Sequence, residues 1–207
     1  MLFVIAFILA WLPITLLFPT IIINKKNLPK NKDGAYIITS NHLSNFDVIL
    51  FDIKLGKKVY YLAKKELFKN KFTSWFLTKL GAIKLDRTGT DVTAFKTTLQ
   101  TLKQGKPVGI FPEGTRNKGD DTGDMLEARS GAIVFASKAG VPIIPMAIHR
   151  RPKLLRLNRI VVGEPFYVEG VNTKKLTKEE IDSNTIRLVQ TINNLHAQLV
   201  EKYSRKK

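Results

Sequence analysis

Tyr36-Ile37-Ile38-Thr39-Ser40-Asn41-His42-Leu43-Ser44-Asn45-Phe46-Asp47 reads as a buried strand that leaves its sheet through a polar loop and enters a helix. Tyr36 to Thr39 is a short run of aromatic and β-branched residues, the composition of a strand covered on both faces. The segment beginning near Asn45 has helical length and spacing. The same alternation repeats along the chain. Val59 to Leu62, Ala82 to Leu85, Val108 to Phe111, Ile143 to Ala147 and Ile160 to Val162 read as further strands, with helical segments beginning near Glu66, Asp91 and Met125. Gly105, ahead of Lys106-Pro107, supplies a stop for the helix that starts near Asp91. Short apolar runs alternating with longer helical patterns predict an α/β fold, a single domain with a mostly parallel central sheet flanked by helices. A last helix is announced by Thr177 and Glu180, spaced as a capping box, and Ile181, Leu188, Val189, Ile192, Leu195 and Leu199 give it one apolar face for packing on the domain.

Outside this pattern lies the start of the chain. Met1 to Ile23 carries no charged side chain and is dominated by Leu, Ile, Phe and Val, long enough as a helix to cross a bilayer core of roughly 30 Å. Pro13 and Pro19 each remove a backbone donor, so a kinked helix or a shallow hairpin in one leaflet is the other reading. A cleaved signal peptide fits poorly, because no basic stretch precedes the run and Ile21-Ile22-Ile23 is a poor cleavage site. Residues 1–24 are therefore expected to be an N-terminal apolar membrane-anchoring helical segment, and 25–207 the catalytic domain. Lys25, Lys26, Lys30 and Lys32 follow at once, which by the positive-inside rule places the domain on the cytoplasmic face of the cell membrane.

The formal charge of +17, from 34 basic and 17 acidic residues among 207, attracts polyanions of any kind. No nucleic-acid-binding motif is present, and the apolar start favours an anionic membrane surface as the partner. The chain has no cysteine, which excludes disulfides, thiolate metal sites and an acyl-cysteine intermediate. His42, His149 and His196 are scattered, without paired ligand spacing, so no metal or other cofactor is expected. The polar stretch Asn117 to Asp124 is acidic but lacks the spacing of a calcium loop. Phe68, Phe72, Trp75 and Phe76 recur at helical spacing among Lys64, Lys65, Lys69, Lys71 and Lys79, and such a stripe is expected to pack inward rather than enter a membrane. Arg150, Arg151, Lys153, Arg156 and Arg159, interleaved with Leu154, Leu155 and Leu157, fit a solvated face and a lipid contact equally well.

His42 and Asp47 are candidates for a general base and its orienting carboxylate. Residues five apart on a regular helix point roughly 140° away from one another, so the two can touch only if His42 lies on the loop and Asp47 in the first helical turn. Ser44 as N-cap would put Asp47 at the third helical position, and the same Ser-x-x-Asp spacing also fits a purely structural cap. As a catalytic pair, neutral His42 would take a proton from an acceptor hydroxyl while Asp47 fixes the tautomer and stabilises the imidazolium. The chain has no Gly-x-Ser-x-Gly elbow, so direct attack by the acceptor is preferred to an acyl-enzyme. Asn41 is assigned chiefly to holding the loop.

Phe111-Pro112-Glu113-Gly114-Thr115-Arg116 leaves a strand at its C-terminal end, where α/β folds place their ligands. Gly114 allows close backbone approach and Arg116 offers a planar fork of donors matched to phosphate. Arg87 also ends a strand pattern, so both guanidinium groups could reach one dianion. Glu113, itself anionic, is assigned to orienting Arg116 or contacting glycerol hydroxyls.

Taken in order, Asn41 to Asp47, Gly81 to Arg87, Phe111 to Arg116 and Val141 to Pro145 resemble the four blocks of the glycerolipid acyltransferase family, and within it the lysophosphatidate acyltransferases. The resemblance implies His42 and Asp47 as the catalytic pair, Arg87, Glu113, Gly114, Thr115 and Arg116 as the binding site for the phosphate and glycerol of the acceptor, and Val141, Pro142, Ile143, Ile144 and Pro145 on the acyl-donor side. A buried strand flanked by prolines is the other reading of that last block, and it is fully compatible with that role. The implied reaction is acyl transfer from acyl-CoA or acyl-carrier protein to lysophosphatidate, giving phosphatidate, a step of phospholipid biosynthesis. The same chemistry on glycerol 3-phosphate or another lysophospholipid is the nearest alternative, and a non-catalytic basic membrane- or nucleic-acid-binding protein is the alternative of another class. Two departures stand out: Asn117 where similar sequences often carry serine, and Ala128-Arg129-Ser130-Gly131-Ala132 in place of a more usual Phe-Lys-x-Gly-Ala, which keeps the charge and loses the aromatic.

Overall fold

The computed structural model describes residues 2–30, 34–89, 91–117, 125, 128–170 and 176–204. Lys32, residues 118–124 of the polar loop, and Arg205, Lys206 and Lys207 lie outside that range. The first helix, α1 (Leu2–Leu17), is followed by a strand, β1 (Thr20–Ile23). Then come β2 (Ile37–Ser40), α2 (Phe46–Leu55), β3 (Tyr60–Lys64), α3 (Lys71–Leu80), β4 (Ala82–Leu85), α4 (Val92–Lys103) and β5 (Val108–Ile110). The chain closes with α5 (Gly131–Ala139), β6 (Ile143–Ile148), β7 (Asn158–Val162) and α6 (Lys178–Ser204).

The strands form one 7-stranded sheet in the order β1-β7-β6-β2-β5-β3-β4. Every neighbouring pair is parallel except β6 with β7. Because side chains alternate across a strand, each apolar run feeds two layers at once. Ile37, Val108, Ile110 and Ile143 pack with Leu102, Phe135, Leu188 and Ile192 on one face. Tyr36, Ile38, Tyr61, Ile144 and Met146 meet Phe51 and Leu55 of α2 on the other. The expected α/β sheet is therefore present, as are all six expected strands, with bounds shifted by a residue or two. The capping box of the last helix is formed: the Thr177 backbone N–H donates to Glu180 Oε2 at 2.8 Å and the Glu180 N–H to Thr177 Oγ1 at 3.2 Å.

Four expectations need correction. The apolar start is neither one helix nor a helical hairpin. α1 ends at Leu17, Pro19 cannot extend it, and the β-branched Thr20-Ile21-Ile22-Ile23 pairs in parallel with Asn158 to Val161 as an edge strand. The segment near Glu66 is a single 3₁₀ turn, Lys65–Leu67, followed by α3, which starts at Lys71 because its N-cap Asn70 and Thr73 cap each other reciprocally. The helix expected near Met125 begins instead at Gly131. Met125 is drawn against α6, where its backbone N–H donates to Asn193 Oδ1 at 3.1 Å and its side chain is buried. The aromatic stripe packs inward only in part: Phe68 and Phe76 are half-buried, whereas Phe72 and Trp75 are 69% and 50% exposed, and the rings of Phe72, Trp75 and Phe76 lie against one another along the helix.

One close approach sets the floor beneath the site. Tyr61 on β3 lays its ring flat over Gly109 of β5, where a Cβ would overlap the ring atoms, and Tyr61 in turn stacks on Phe111, ring centroids 6.1 Å apart. Gly109→Ala is expected to destabilise the domain by about 1–3 kcal/mol, the usual cost of overpacking a filled core, measured by urea unfolding.

Candidate active site

The loop that leaves β2 is fixed at three points. Asn41, fully buried, accepts from the Ile148 N–H with Oδ1 at 2.8 Å and donates from Nδ2 to the Ile148 carbonyl at 3.0 Å, which ties the loop to the end of β6. The His42 backbone N–H donates to Glu113 Oε1 at 3.0 Å, and the His42 carbonyl accepts from the Asn117 N–H at 2.8 Å. The imidazole stacks on Phe111 at 4.0 Å between centroids, so its plane is set as well as its backbone.

His42 Nδ1 lies 3.0 Å from Asp47 Oδ2. That oxygen also accepts from the backbone N–H groups of Leu43, at 2.8 Å, and Ser44, at 2.7 Å. Asp47 is completely buried, and its Oδ1 has no partner among the described residues, so all these donors converge on a single oxygen. The helix starts one residue later than expected. Asn45 is the N-cap, the Ser44 side chain makes no cap to the third turn residue, and Asp47 occupies the second helical position, where the macrodipole favours a carboxylate. The Asp47 side chain thus turns back over the loop and caps the turn while it holds the histidine, so the structural and functional readings describe one arrangement. With Nδ1–H committed to the carboxylate, Nε2 is left with the lone pair.

Of the residues expected to bind the acceptor, Arg87, Gly114, Thr115 and Arg116 gather at the mouth of one cavity. Arg87, just beyond β4, donates from Nη1 to the Gly114 carbonyl. Asp91 steadies that loop by capping α4 through the Ala94 N–H at 2.9 Å and accepting the Asp86 N–H at 2.8 Å. Gly114 has φ 66°, the left-handed conformation that glycine permits, and the Arg129 side chain packs directly over it. Arg87 loses part of its affinity for its proton, first through burial and then through the nearby charge of Arg129. Thr115 and Arg116 are exposed and line the same mouth. Among the described residues no carboxylate pairs with Arg87, Arg116 or Arg129. Arg87 and Arg129 thus bring two positive charges together, an arrangement suited to an anion, with the charge of Glu66 offsetting part of the effect at Arg87.

Glu113 makes no bond to Arg116 among the described residues. It braces His42, and burial raises its carboxyl above the usual range while the His42 N–H and ring pull it back. Arg129 is the residue that motif reading missed as a site member; its basic position in the altered fifth-helix entry was the available signal. Val141, Pro142, Ile143, Ile144 and Pro145 are not brought to the cavity. Ile143 and Ile144 are fully buried, and the block's backbone groups are spent on Ile37, Phe166 and Gly163. Ile143, Ile144 and Pro145 belong to β6. His149 and His196 are likewise structural: both are buried, His196 Nε2 lies 3.1 Å from the His149 carbonyl, and burial lowers the His149 pKa to about 4.

From this mouth the cavity, about 1090 Å³, runs inward between α2, α3 and the β3–β4 edge. β3 bonds to β5 only at Tyr60 and Tyr61, so the two strands part beyond that point and open the space. Val48, Ile53, Leu62, Phe76, Leu80 and Phe135 make its walls apolar. One carboxylate interrupts them. Asp52 accepts the Val59 N–H at 3.1 Å, yet burial raises its pKa from 3.8 to about 7. The folded chain therefore holds a proton that the unfolded chain releases, so stability falls as pH rises from about 4 through about 7. Asp52→Asn is expected to remove this slope: thermal midpoints of the two proteins converge near pH 4 and separate above it, with the variant the more stable at neutral pH.

The half-buried His42 with its buried carboxylate partner, the arginines and the apolar channel thus meet on an α/β sheet, and the acyltransferase family model matches residues 20–149. The chain belongs to the acyltransferase family. It is 32% identical over 186 residues to a 1-acyl-sn-glycerol-3-phosphate acyltransferase of Bacillus subtilis, covering 85% of this chain and 87% of that one. It is 34% identical over 128 residues to the enzyme of that name from Helicobacter pylori, 61% of this chain and 53% of the relative. The crystal structure of a 1-acyl-sn-glycerophosphate (LPA) acyltransferase from Thermotoga maritima shares the fold, with a TM-score of 0.69 over 99% of this chain and 80% of that one, at 24% sequence identity.

Proposed function

We propose that this acyltransferase moves a fatty acyl group from a CoA or carrier-protein thioester to the free hydroxyl of lysophosphatidate, forming phosphatidate. The observation that carries the reading is the opening of the His42–Asp47 pair, Arg87, Arg116 and Arg129, and the apolar channel into one cavity. The arginines suit the phosphate of the acceptor, and the channel suits an alkyl chain. Nε2 of His42 removes the hydroxyl proton as the oxygen attacks the thioester carbonyl. Asp47 holds the imidazolium that forms, the tetrahedral intermediate collapses with loss of the thiolate, and the proton on His42 leaves with the thiol. Thiol release from acyl-CoA and from acyl-carrier protein, each with lysophosphatidate, glycerol 3-phosphate and a lysophospholipid lacking the terminal phosphate, tests acceptor and donor together. Equal rates with the phosphate-free acceptor would contradict the reading.

The same reading places the protein on the cytoplasmic face of the cell membrane. No helix among the described residues is long and apolar enough to cross a membrane, and α1 has 16 residues. Support for a helix lying in the interface comes from the exposed Leu9, Trp11, Leu12, Leu16 and Leu17 of α1 and the exposed aromatics of α3, which packs beside it. Recovery of the protein in the soluble fraction after cell lysis at low salt would count against it.

A further inference from the structure

The basic and leucine-rich stretch after β6, which the site does not use, is built as a protruding turn. The Arg156 N–H donates to the Lys153 carbonyl at 3.2 Å, so Leu154 and Leu155 occupy the two central positions of a turn. Leu155 has φ 55°, a left-handed conformation for which glycine or asparagine is the favoured residue at a turn's third position. Here a leucine holds it, with the side chain 69% exposed and that of Leu154 59% exposed. A turn serving only to connect two strands gains nothing from paired leucines in water at its tip.

The turn is also fastened. The Leu155 N–H donates to the Leu17 carbonyl at 2.6 Å and the Asn158 N–H to the Pro19 carbonyl at 2.8 Å, so it sits against the end of α1, where Leu16 and Leu17 are exposed as well. Ile14, one helical turn earlier on α1, lines the cavity. From the other side, Arg151 Nη2 donates to the Asn117 carbonyl at 3.2 Å, and Asn117 itself holds the His42 carbonyl. The leucines are therefore carried at the same side of the molecule as the mouth of the site. Arg150, Arg151, Lys153 and Arg156 neighbour them in sequence, Arg159 of β7 stacks on the Tyr203 ring, and no acidic residue occurs between Val141 and Gly163.

We infer that the Lys153–Arg156 turn is a second membrane-docking element, which inserts Leu154 and Leu155 among the acyl chains of an anionic bilayer while Arg156 and the basic residues flanking the turn engage lipid phosphates. Apolar tips ringed by cations match the layering of a bilayer surface, where hydrocarbon lies just beneath negative headgroups. A second copy of this chain would need an acidic counterpart, which a molecule of net charge +17 does not favour. The docking rests on the membrane reading proposed for α1, while its test does not depend on the chemistry.

Since the chain has no cysteine, Leu155→Cys gives a unique position for an environment-sensitive fluorophore, and Ile186→Cys, exposed on α6, gives a control. With vesicles of phosphatidylcholine containing phosphatidylglycerol, the label at 155 is expected to shift to the blue and be quenched by lipids brominated on their acyl chains, while the label at 186 remains aqueous. Vesicle-bound protein whose label at 155 stays in water overturns the inference, as does a label already shielded by self-association before vesicles are added. Leu154→Ser combined with Leu155→Ser is expected to weaken vesicle affinity roughly tenfold, with thiol release on a water-soluble short-chain lysophosphatidate within about twofold of the parent protein. Unchanged vesicle affinity would overturn the docking role. Absence of any reaction in the parent protein would instead overturn the enzymatic reading and leave the fluorescence result standing.

Discussion

His42→Ala is expected to lower the rate of acyl transfer by roughly a hundred- to ten-thousand-fold, the range that general base catalysis supplies, with little change in the binding of lysophosphatidate. The imidazole stacks on Phe111 without filling the core, so the fold survives its loss with a cost of about 0.5–1.5 kcal/mol for the lost ring pair. Asp47→Asn behaves differently. It weakens the base, and it also replaces a charged acceptor of the Leu43 and Ser44 N–H groups with a neutral one, at about 1.5–3 kcal/mol for a hydrogen bond to a charged group. Because the two side chains act as a unit, the double variant is expected to be no slower than His42→Ala alone. Single-turnover kinetics with thiol detection, paired with thermal unfolding of each variant, separates the two costs. A His42→Ala protein that keeps its rate would remove His42 from the reaction.

The second large effect belongs to the arginines. Arg87→Ala and Arg129→Ala are each expected to reduce kcat/KM for lysophosphatidate by roughly ten- to a hundredfold, the kinetic equivalent of one charge-assisted hydrogen bond, and to leave any slow reaction with a phosphate-free acceptor unchanged. Stability should move the opposite way for Arg129. In the absence of a bound anion it sits beside Arg87, whose proton affinity it depresses, so its removal relieves a repulsion and the unfolding midpoint is expected to hold or rise. A titration with inorganic phosphate adds a check: the parent protein gains thermal stability from phosphate and the two variants gain less. Equal gains in all proteins would place the phosphate elsewhere.

Much of the sheet was legible because its strands are short, β-branched and buried on both faces, as Ile37-Ile38 and Ile143-Ile144 are. β1 was not, because Thr20 to Ile23 continues the apolar composition of α1 and only its partner β7, far away in sequence, makes it a strand. His42 and Asp47 could be paired from spacing and loop logic alone. That Glu113 and Asn117 hold the loop between them could not, since both act through backbone contacts that cross more than 70 residues of chain. The assignment of Val141 to Pro145 to the donor side came from resemblance, whereas the residues themselves announce the buried strand that they form. The aromatic stripe of α3 misled at Phe72 and Trp75 for a physical reason: helical periodicity reveals that one face is apolar but not what solvent that face meets.

The edge strand at the start of the chain bears on how the protein can be handled. An obvious way to obtain it free of detergent is to delete the apolar first 24 residues. That cut would strip β1 from β7 and leave the backbone groups of Asn158 to Val161 unpaired, an open template for aggregation. It would also remove the carbonyls of Leu17 and Pro19 that hold the Leu155 turn. A cut placed just ahead of Leu17 discards most of α1 and keeps the sheet closed, so the boundary that hydrophobicity suggests and the boundary that folding tolerates differ by one strand.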